Sequence, residues 1–150
     1  MTDPIYKKEV LRLAADAVGA GRLSQPSGTG VAHNPSCGDK VTVDLVLSGG
    51  RVAAIAHDAK ACVLSQASAS ILGSAFTGKT KADAQAVLKA VRSMLEGGAV
   101  PAAPFDGYAA FDGVTEFRNR HTCVTLPIEA VLAAFQNSEA RQKDSQGSEA

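Results

Sequence analysis

The chain has 150 residues and balances 15 Lys+Arg against 15 Asp+Glu, so a surface built to hold a phosphate backbone is not expected. At this length the expected organisation is one domain that buries about 70% of the surface its unfolded chain exposes. Apolar residues make up 45% of the chain, yet 27 of them are alanine against five Phe, two Tyr and no Trp; the core is built from small aliphatics, and aromatic platforms for nucleic acid are not expected.

The first predicted element is an amphipathic helix over Pro4–Val18. Ile5, Val10, Leu11, Leu13, Ala14 and Val18 recur at helical spacing, with Asp3 as N-cap and Pro4 as the first helical residue. Residues 19–30 hold four glycines and Pro26 and read as a loop. Val41, Val43, Leu45 and Leu47 then alternate with less apolar neighbours, Gly49-Gly50 punctuates the run, and a second extended run starts at Val52. The pattern predicts a hairpin turning at the glycine pair. Val31–Ser36 is a candidate third strand, confined by Pro35 to an edge or an entry loop.

A small-residue helix follows over Cys62–Leu72, with Ser65, Ser68 and Ser70 read as helix-packing residues. Thr80–Leu95 carries Ala84, Val87, Leu88, Val91, Met94 and Leu95 at helical intervals and stops at Gly97-Gly98. Residues 97–113 mix Gly, Pro and Ala with Phe105, Tyr108 and Phe111 and read as a long loop whose exposed-looking aromatics could anchor a partner, a cluster that ties the loop down being the favoured reading. Ile128, Val131, Leu132 and Phe135 define a last helix with Pro127 in or near its first turn. The domain is expected to span 1–136, with a disordered polar tail over 137–150.

This order predicts an α+β fold, a small antiparallel sheet of about three strands covered by helices on one face. It is not a doubly wound nucleotide fold, since Gly28-Thr29-Gly30 leads into a strand, whereas phosphate cradles lead from a strand into a helix. No run approaches the roughly 20 apolar residues of a membrane span, and Met1–Lys8 shows no basic start followed by an apolar stretch. A cytoplasmic protein is the expectation.

Cys37, Cys62 and Cys123 are odd in number and far apart, which suits reduced thiols better than a disulfide framework. Each falls at the end of an element, where helix amides favour a thiolate and distant segments converge. Asp39 stands two residues after Cys37 in Asn34-Pro35-Ser36-Cys37-Gly38-Asp39. Three thiolates and a carboxylate make a suitable donor set for tetrahedral zinc or for an iron–sulfur cluster with one weakly held corner. Spacing alone also permits a plainer reading, in which the cysteines are small buried hydrophobes and Asp39 an ordinary turn residue.

The Asn34-Pro35-Ser36-Cys37-Gly38-Asp39 element, the Ala61-Cys62 helix start with Ser68-Ala69-Ser70, and a third cysteine before a final helix together resemble the U-type iron–sulfur scaffold family: IscU, the N-terminal part of NifU, and SufU. The resemblance spans Pro4 to Phe135 and implies a SufE/NifU-like fold and one metal site made by Cys37, Asp39, Cys62 and Cys123.

IscU-type members carry a His directly before the third cysteine and a Leu-Pro-Pro-Val-Lys docking motif upstream. Here Thr122 holds the first place, with His121 one further back, and Phe117-Arg118-Asn119-Arg120 stands upstream. The 97–113 stretch and Arg120 instead resemble the SufU branch. That resemblance implies Zn²⁺ as resting metal, a SufS-type cysteine desulfurase as partner, iron–sulfur recipient or assembly proteins downstream, and Cys37 as sulfur acceptor. A [2Fe–2S] cluster on the same four residues is the alternative it leaves open. Such a site is net negative, so a nearby cation is expected; Arg120 is the first candidate and Lys60 the second. His121 is a candidate substitute for Asp39 as ligand.

Overall fold

The computed structural model describes residues 7–35 and 38–147, with side chains described to residue 140. Four helices and three strands follow one another as α1 (Lys8–Asp16), β1 (Gly28–Asn34), β2 (Asp39–Ser48), β3 (Arg51–Lys60), α2 (Val63–Ala75), α3 (Lys81–Leu95) and α4 (His121–Gly147), with 3₁₀ turns over Asp106–Val114 and Arg118–Arg120. The strands form one antiparallel sheet in the order β1-β2-β3. Asp3 and Pro4, read as the start of α1, lie outside the described residues.

The hairpin expected at Gly49-Gly50 is present: both glycines adopt positive φ, and Ser48 pairs with Arg51 across them. Val41, Val43 and Leu45 point from β2 into a core shared with Leu64, Ile71 and Leu72 of α2 and Val124, Ile128 and Val131 of α4. α3 is fixed by a capping box, in which the Thr80 hydroxyl accepts from the Asp83 amide and the Asp83 carboxylate accepts from the Thr80 amide.

β1 begins three residues earlier than the apolar pattern predicts, because Gly28 and Gly30 are strand residues and not turn punctuation. A Cβ at Gly30 would lie 2.2 Å from the Ala130 carbonyl oxygen and the Ala134 amide, and one at Gly28 would lie 2.2 Å from the Ala134 carbonyl oxygen. α4 therefore rests directly on the β1 backbone. Pro35 ends the strand, which is an edge strand as expected.

The face of the sheet away from the helices is crossed by the α1–β1 connector. Gly21 donates its amide to the His57 carbonyl at 2.8 Å and His57 returns its amide to Gly19 at 2.9 Å. The chain then passes to Asp44, which alternates with Val43 and Leu45 and so faces this connector. The buried Asp44 carboxylate accepts from Arg22 Nε (2.6 Å), Arg22 Nη2 (3.2 Å), the Leu23 amide (3.0 Å) and the Thr29 hydroxyl (2.6 Å). Burial pushes its pKa up, but the bonds from Arg22, Thr29 and Leu23 outweigh that and hold it below the usual carboxylate range.

Toward the C-terminus the structure bears out one expectation, aromatics that tie down the long loop, and corrects two, their exposed look and the disordered tail. Tyr108 and Phe111 are fully buried and in ring contact with each other, and Phe105, nearly buried, is in ring contact with Phe76, so these aromatics tie the 97–113 stretch to the core and offer no exposed anchor to a partner. The polar segment after Gln136, read from composition as disordered, continues α4 as helix to Gly147; Asn137 donates to the Thr29 carbonyl at 2.7 Å and Ser138 is buried. Contact with β1 supplies what composition alone does not. Among the described residues no helix is long and apolar enough to cross a membrane.

Candidate metal centre

Three elements end at one corner of the fold. Asp39 opens β2 directly after Gly38, whose positive φ of 74° and amide bond to the Asn34 carbonyl turn the chain back from β1. Cys62 is the N-cap of α2, with extended backbone geometry. Cys123 lies in the first turn of α4, which begins at His121, so Pro127, expected in or near the first turn, stands in the second. Two thiols are therefore presented at helix N-termini, where the peptide dipoles favour negative charge.

The ligand atoms of Asp39, Cys62 and Cys123 all lie within 4.8 Å of one another. Cys123 Sγ stands 3.8 Å from Asp39 Oδ2, close to the edge of about 3.5 Å that a tetrahedron with a metal–sulfur bond of about 2.3 Å and a metal–oxygen bond of about 2.0 Å requires. Asp39 and Cys123 are buried while Cys62 is half-buried, so the triangle faces inward on two corners and is reachable on the third. Two soft sulfurs and one carboxylate oxygen suit zinc or an iron–sulfur unit and suit magnesium or calcium poorly. The residues thus fit the metal the resemblance implies. Cys37, the fourth expected ligand, lies outside the described residues.

The Cys62 thiol is held at a pKa of about 6. The hydrogen bond from Cys123 is the main cause; burial and Asp39 oppose it, and the Ser65 amide adds to it. Cys62 is thus disposed to be a thiolate near neutral pH.

Ser65 and Ser68, which composition reads only as helix-packing residues, do more than pack. The Ser65 hydroxyl donates to the Cys123 carbonyl at 2.7 Å, and its oxygen is 3.8 Å from Cys62 Sγ. Ser68 donates to the Val124 carbonyl at 2.6 Å and is 2.8 Å from the Tyr108 hydroxyl, which must then be the donor in that pair. Pro127, four residues beyond Cys123, was the available signal: it lacks the amide that would satisfy the Cys123 carbonyl within the helix.

The supporting residues divide. Arg120 ends the 3₁₀ turn that leads into α4, half-buried, three residues before Cys123. Lys60 is the exposed last residue of β3, opposite Lys40. His121 is not among the three clustered residues: its Nε2 is 3.0 Å from the Thr115 carbonyl oxygen and its Nδ1 3.8 Å from Glu96, so both ring nitrogens are directed at those partners.

Comparison with known proteins matches residues 5–143 to the family described as the NifU-like N terminal domain. The chain is 32% identical over 111 residues to the iron–sulfur cluster assembly scaffold protein IscU of Streptococcus pyogenes serotype M1, covering 73% of this chain and 70% of that protein. It is 30% identical over 100 residues to the zinc-dependent sulfurtransferase SufU of Bacillus subtilis, covering 66% and 68%. The crystal structure of an N-terminal NifU-like protein from Brucella abortus superposes with a TM-score of 0.87 at 33% identity, covering 93% of this chain and 97% of that one. The chain belongs to the NifU-like N-terminal domain family, the U-type family of IscU and SufU.

Proposed function

We propose that this chain, an iron–sulfur cluster assembly protein of the U-type family, works in the cytoplasm as a zinc-bound sulfur acceptor for a SufS-type cysteine desulfurase. The observation that carries the reading is the convergence of Asp39, Cys62 and Cys123 within 4.8 Å, one thiol being left half-buried. Asp39, Cys62 and Cys123 would hold the metal together with Cys37. When bound, zinc keeps thiols deprotonated at neutral pH.

The chemistry assigned to the chain is thiol exchange. The Cys37 thiolate attacks the outer sulfur of the desulfurase persulfide; a sulfur–sulfur bond forms on Cys37 as the bond within the donor persulfide breaks, and the electron pair leaves with the desulfurase thiolate. No net oxidation occurs. Asp39, Cys62 and Cys123 keep their places because they are held by β2, the head of α2 and α4. Arg120 is the assigned cation of the site, with Lys60 second, and iron–sulfur recipient or assembly proteins take the sulfur onward.

The test is metal analysis of the protein isolated without added metal, joined to a desulfurase turnover assay. Colourless protein with about one zinc that accelerates turnover supports the reading, as does loss of stimulation in Cys37→Ser with the chain still folded. Unchanged stimulation in that variant overturns it. The second reading, a scaffold on which a [2Fe–2S] cluster is built, is favoured by the carboxylate among the sulfurs and by the likeness to the IscU relative. Brown protein after anaerobic reconstitution, with no effect on desulfurase turnover, would establish it instead.

A further inference from the structure

The two thiols of the site stand on different helices, and nothing in either helix alone fixes their separation. Two facts meet at this seam. Pro127 lies inside α4 and has no amide hydrogen, so it cannot give the Cys123 carbonyl, four residues earlier, the usual helical bond. The missing donor comes from the neighbouring helix, since the fully buried Ser65 gives its hydroxyl hydrogen to that carbonyl at 2.7 Å. The same oxygen is 3.8 Å from Cys62 Sγ, and Cys62 is three residues before Ser65, at the head of the same helix.

One hydroxyl thus touches the backbone of one cysteine and the sulfur of the other. Without it the Cys123 carbonyl loses this bond inside the core, and the first turn of α4 is free to shift against α2. Ser68 repeats the contact one carbonyl further on, at Val124, and is itself braced by the Tyr108 hydroxyl.

We infer that Ser65 is a positioning residue for the metal centre, and that Pro127 creates the need for it: the proline opens the Cys123 carbonyl so that α2 sets the place of Cys123 relative to Cys62. The zinc arm rests on the metal reading given above, whereas the folding arm does not.

The experiment is a double-mutant cycle of Ser65→Ala and Pro127→Ala in the full chain, read by Zn²⁺ competition against a chromophoric chelator, by the visible spectrum of the Co²⁺-loaded protein, and by urea unfolding of the metal-free protein. Ser65→Ala is expected to weaken Zn²⁺ binding about tenfold or more while the protein stays folded. It should also alter the cobalt–thiolate bands, which packing far from the site would not move. Alanine at 127 returns an amide to the Cys123 carbonyl, so in that background Ser65→Ala should cost at least about threefold less, both in zinc affinity and in the unfolding equilibrium.

Equal costs in the two backgrounds, or wild-type zinc affinity in Ser65→Ala, overturn the inference. If Ser65→Ala alone does not fold, recovery of folding in the Pro127→Ala background supports the inference and continued failure overturns it. A wild-type chain that does not bind Zn²⁺ refutes the metal reading, and the unfolding cycle still decides whether Ser65 and Pro127 are coupled.

Discussion

Gly30→Ala tests how the sheet and the last helix are joined, and through them the site. A methyl group at this position would stand 2.2 Å from the Ala130 carbonyl oxygen and from the Ala134 amide nitrogen. Ordinary contact needs about 3.5 Å, so β1 and α4 must separate by about 1 Å along their shared seam. Both opposing atoms are backbone, and no side-chain rotation relieves the clash. The cost is expected at the upper end of the range for overpacking, about 3 kcal/mol, which in a domain of this size lowers Tm by about 6–12 °C. The same displacement carries the head of α4, and Cys123 with it, away from Asp39, now 3.8 Å away. Urea unfolding with Zn²⁺ titration of the folded variant is the assay. A variant within about 0.5 kcal/mol of wild type would refute the direct seating of α4 on β1. Full destabilisation with unchanged zinc affinity would refute its coupling to the site.

Two further variants probe the opposite face and the core. Asp44→Ala removes the acceptor shared by Arg22, Leu23 and Thr29 and is expected to cost about 2–4 kcal/mol, discounted from a fully buried pair because the Arg22 head is half in water; thermal melts should show it, with the metal content of the folded variant unchanged. His57 is buried, donates from Nε2 to the Val18 carbonyl at 2.7 Å, and its Nδ1 has no partner among the described residues. Burial lowers its pKa, against the opposing effects of the Val18 carbonyl and Asp58. The unfolded chain therefore binds the proton more readily, so this contribution to stability is full above about pH 6.5 and is lost as pH falls toward the folded value. His57→Gln keeps an amide donor and removes the titration, so its unfolding free energy should fall less than that of wild type between pH 7 and pH 5.5. An equal fall in both proteins would contradict the assignment.

What the sequence made legible, and what it hid, follows from the range of the forces. The Gly49-Gly50 hairpin and the Thr80–Asp83 cap depend on neighbours within a few positions and are readable as local patterns. The placement of Cys62 and Cys123 at helix starts was legible for the same reason. Gly28 and Gly30 carry the same letter as turn glycines, and only a helix some hundred residues later makes them strand residues that must lack a side chain. Asp44 alternates with Val43 and Leu45 as a solvent-facing strand residue would, and the connector residues that bond it, Arg22 and Leu23, stand 22 and 21 positions upstream. Pro127 was expected in or near the first turn of its helix because proline is favoured there; deeper in α4, the Cys123 carbonyl that it cannot serve accepts from Ser65, in another helix. His121 is next but one to Cys123, yet in a helix that offset turns it to another side, toward Thr115 and Glu96.

The site is as far from local as any part of the molecule, and this makes the metal part of the folding equilibrium. Asp39, Cys62 and Cys123 close loops between segments 23 and 61 positions apart, and the unfolded chain holds no such cluster. An ion bound only by the folded state stabilises it by RT ln(1 + [M]/Kd), about 4 kcal/mol at a thousandfold excess over Kd. Zinc added to the metal-free protein should therefore raise Tm by roughly 8–16 °C. The gain should fall on the corner where β2, α2 and α4 meet, seen as slowed amide exchange at the head of α4, with little change at the Gly49-Gly50 turn. Cys62→Ser should lose most of the rise, because serine's oxygen is a poor substitute for a soft thiolate. Chelation that leaves Tm and the exchange pattern of the wild-type chain unchanged would mean that the three donor atoms meet for packing alone.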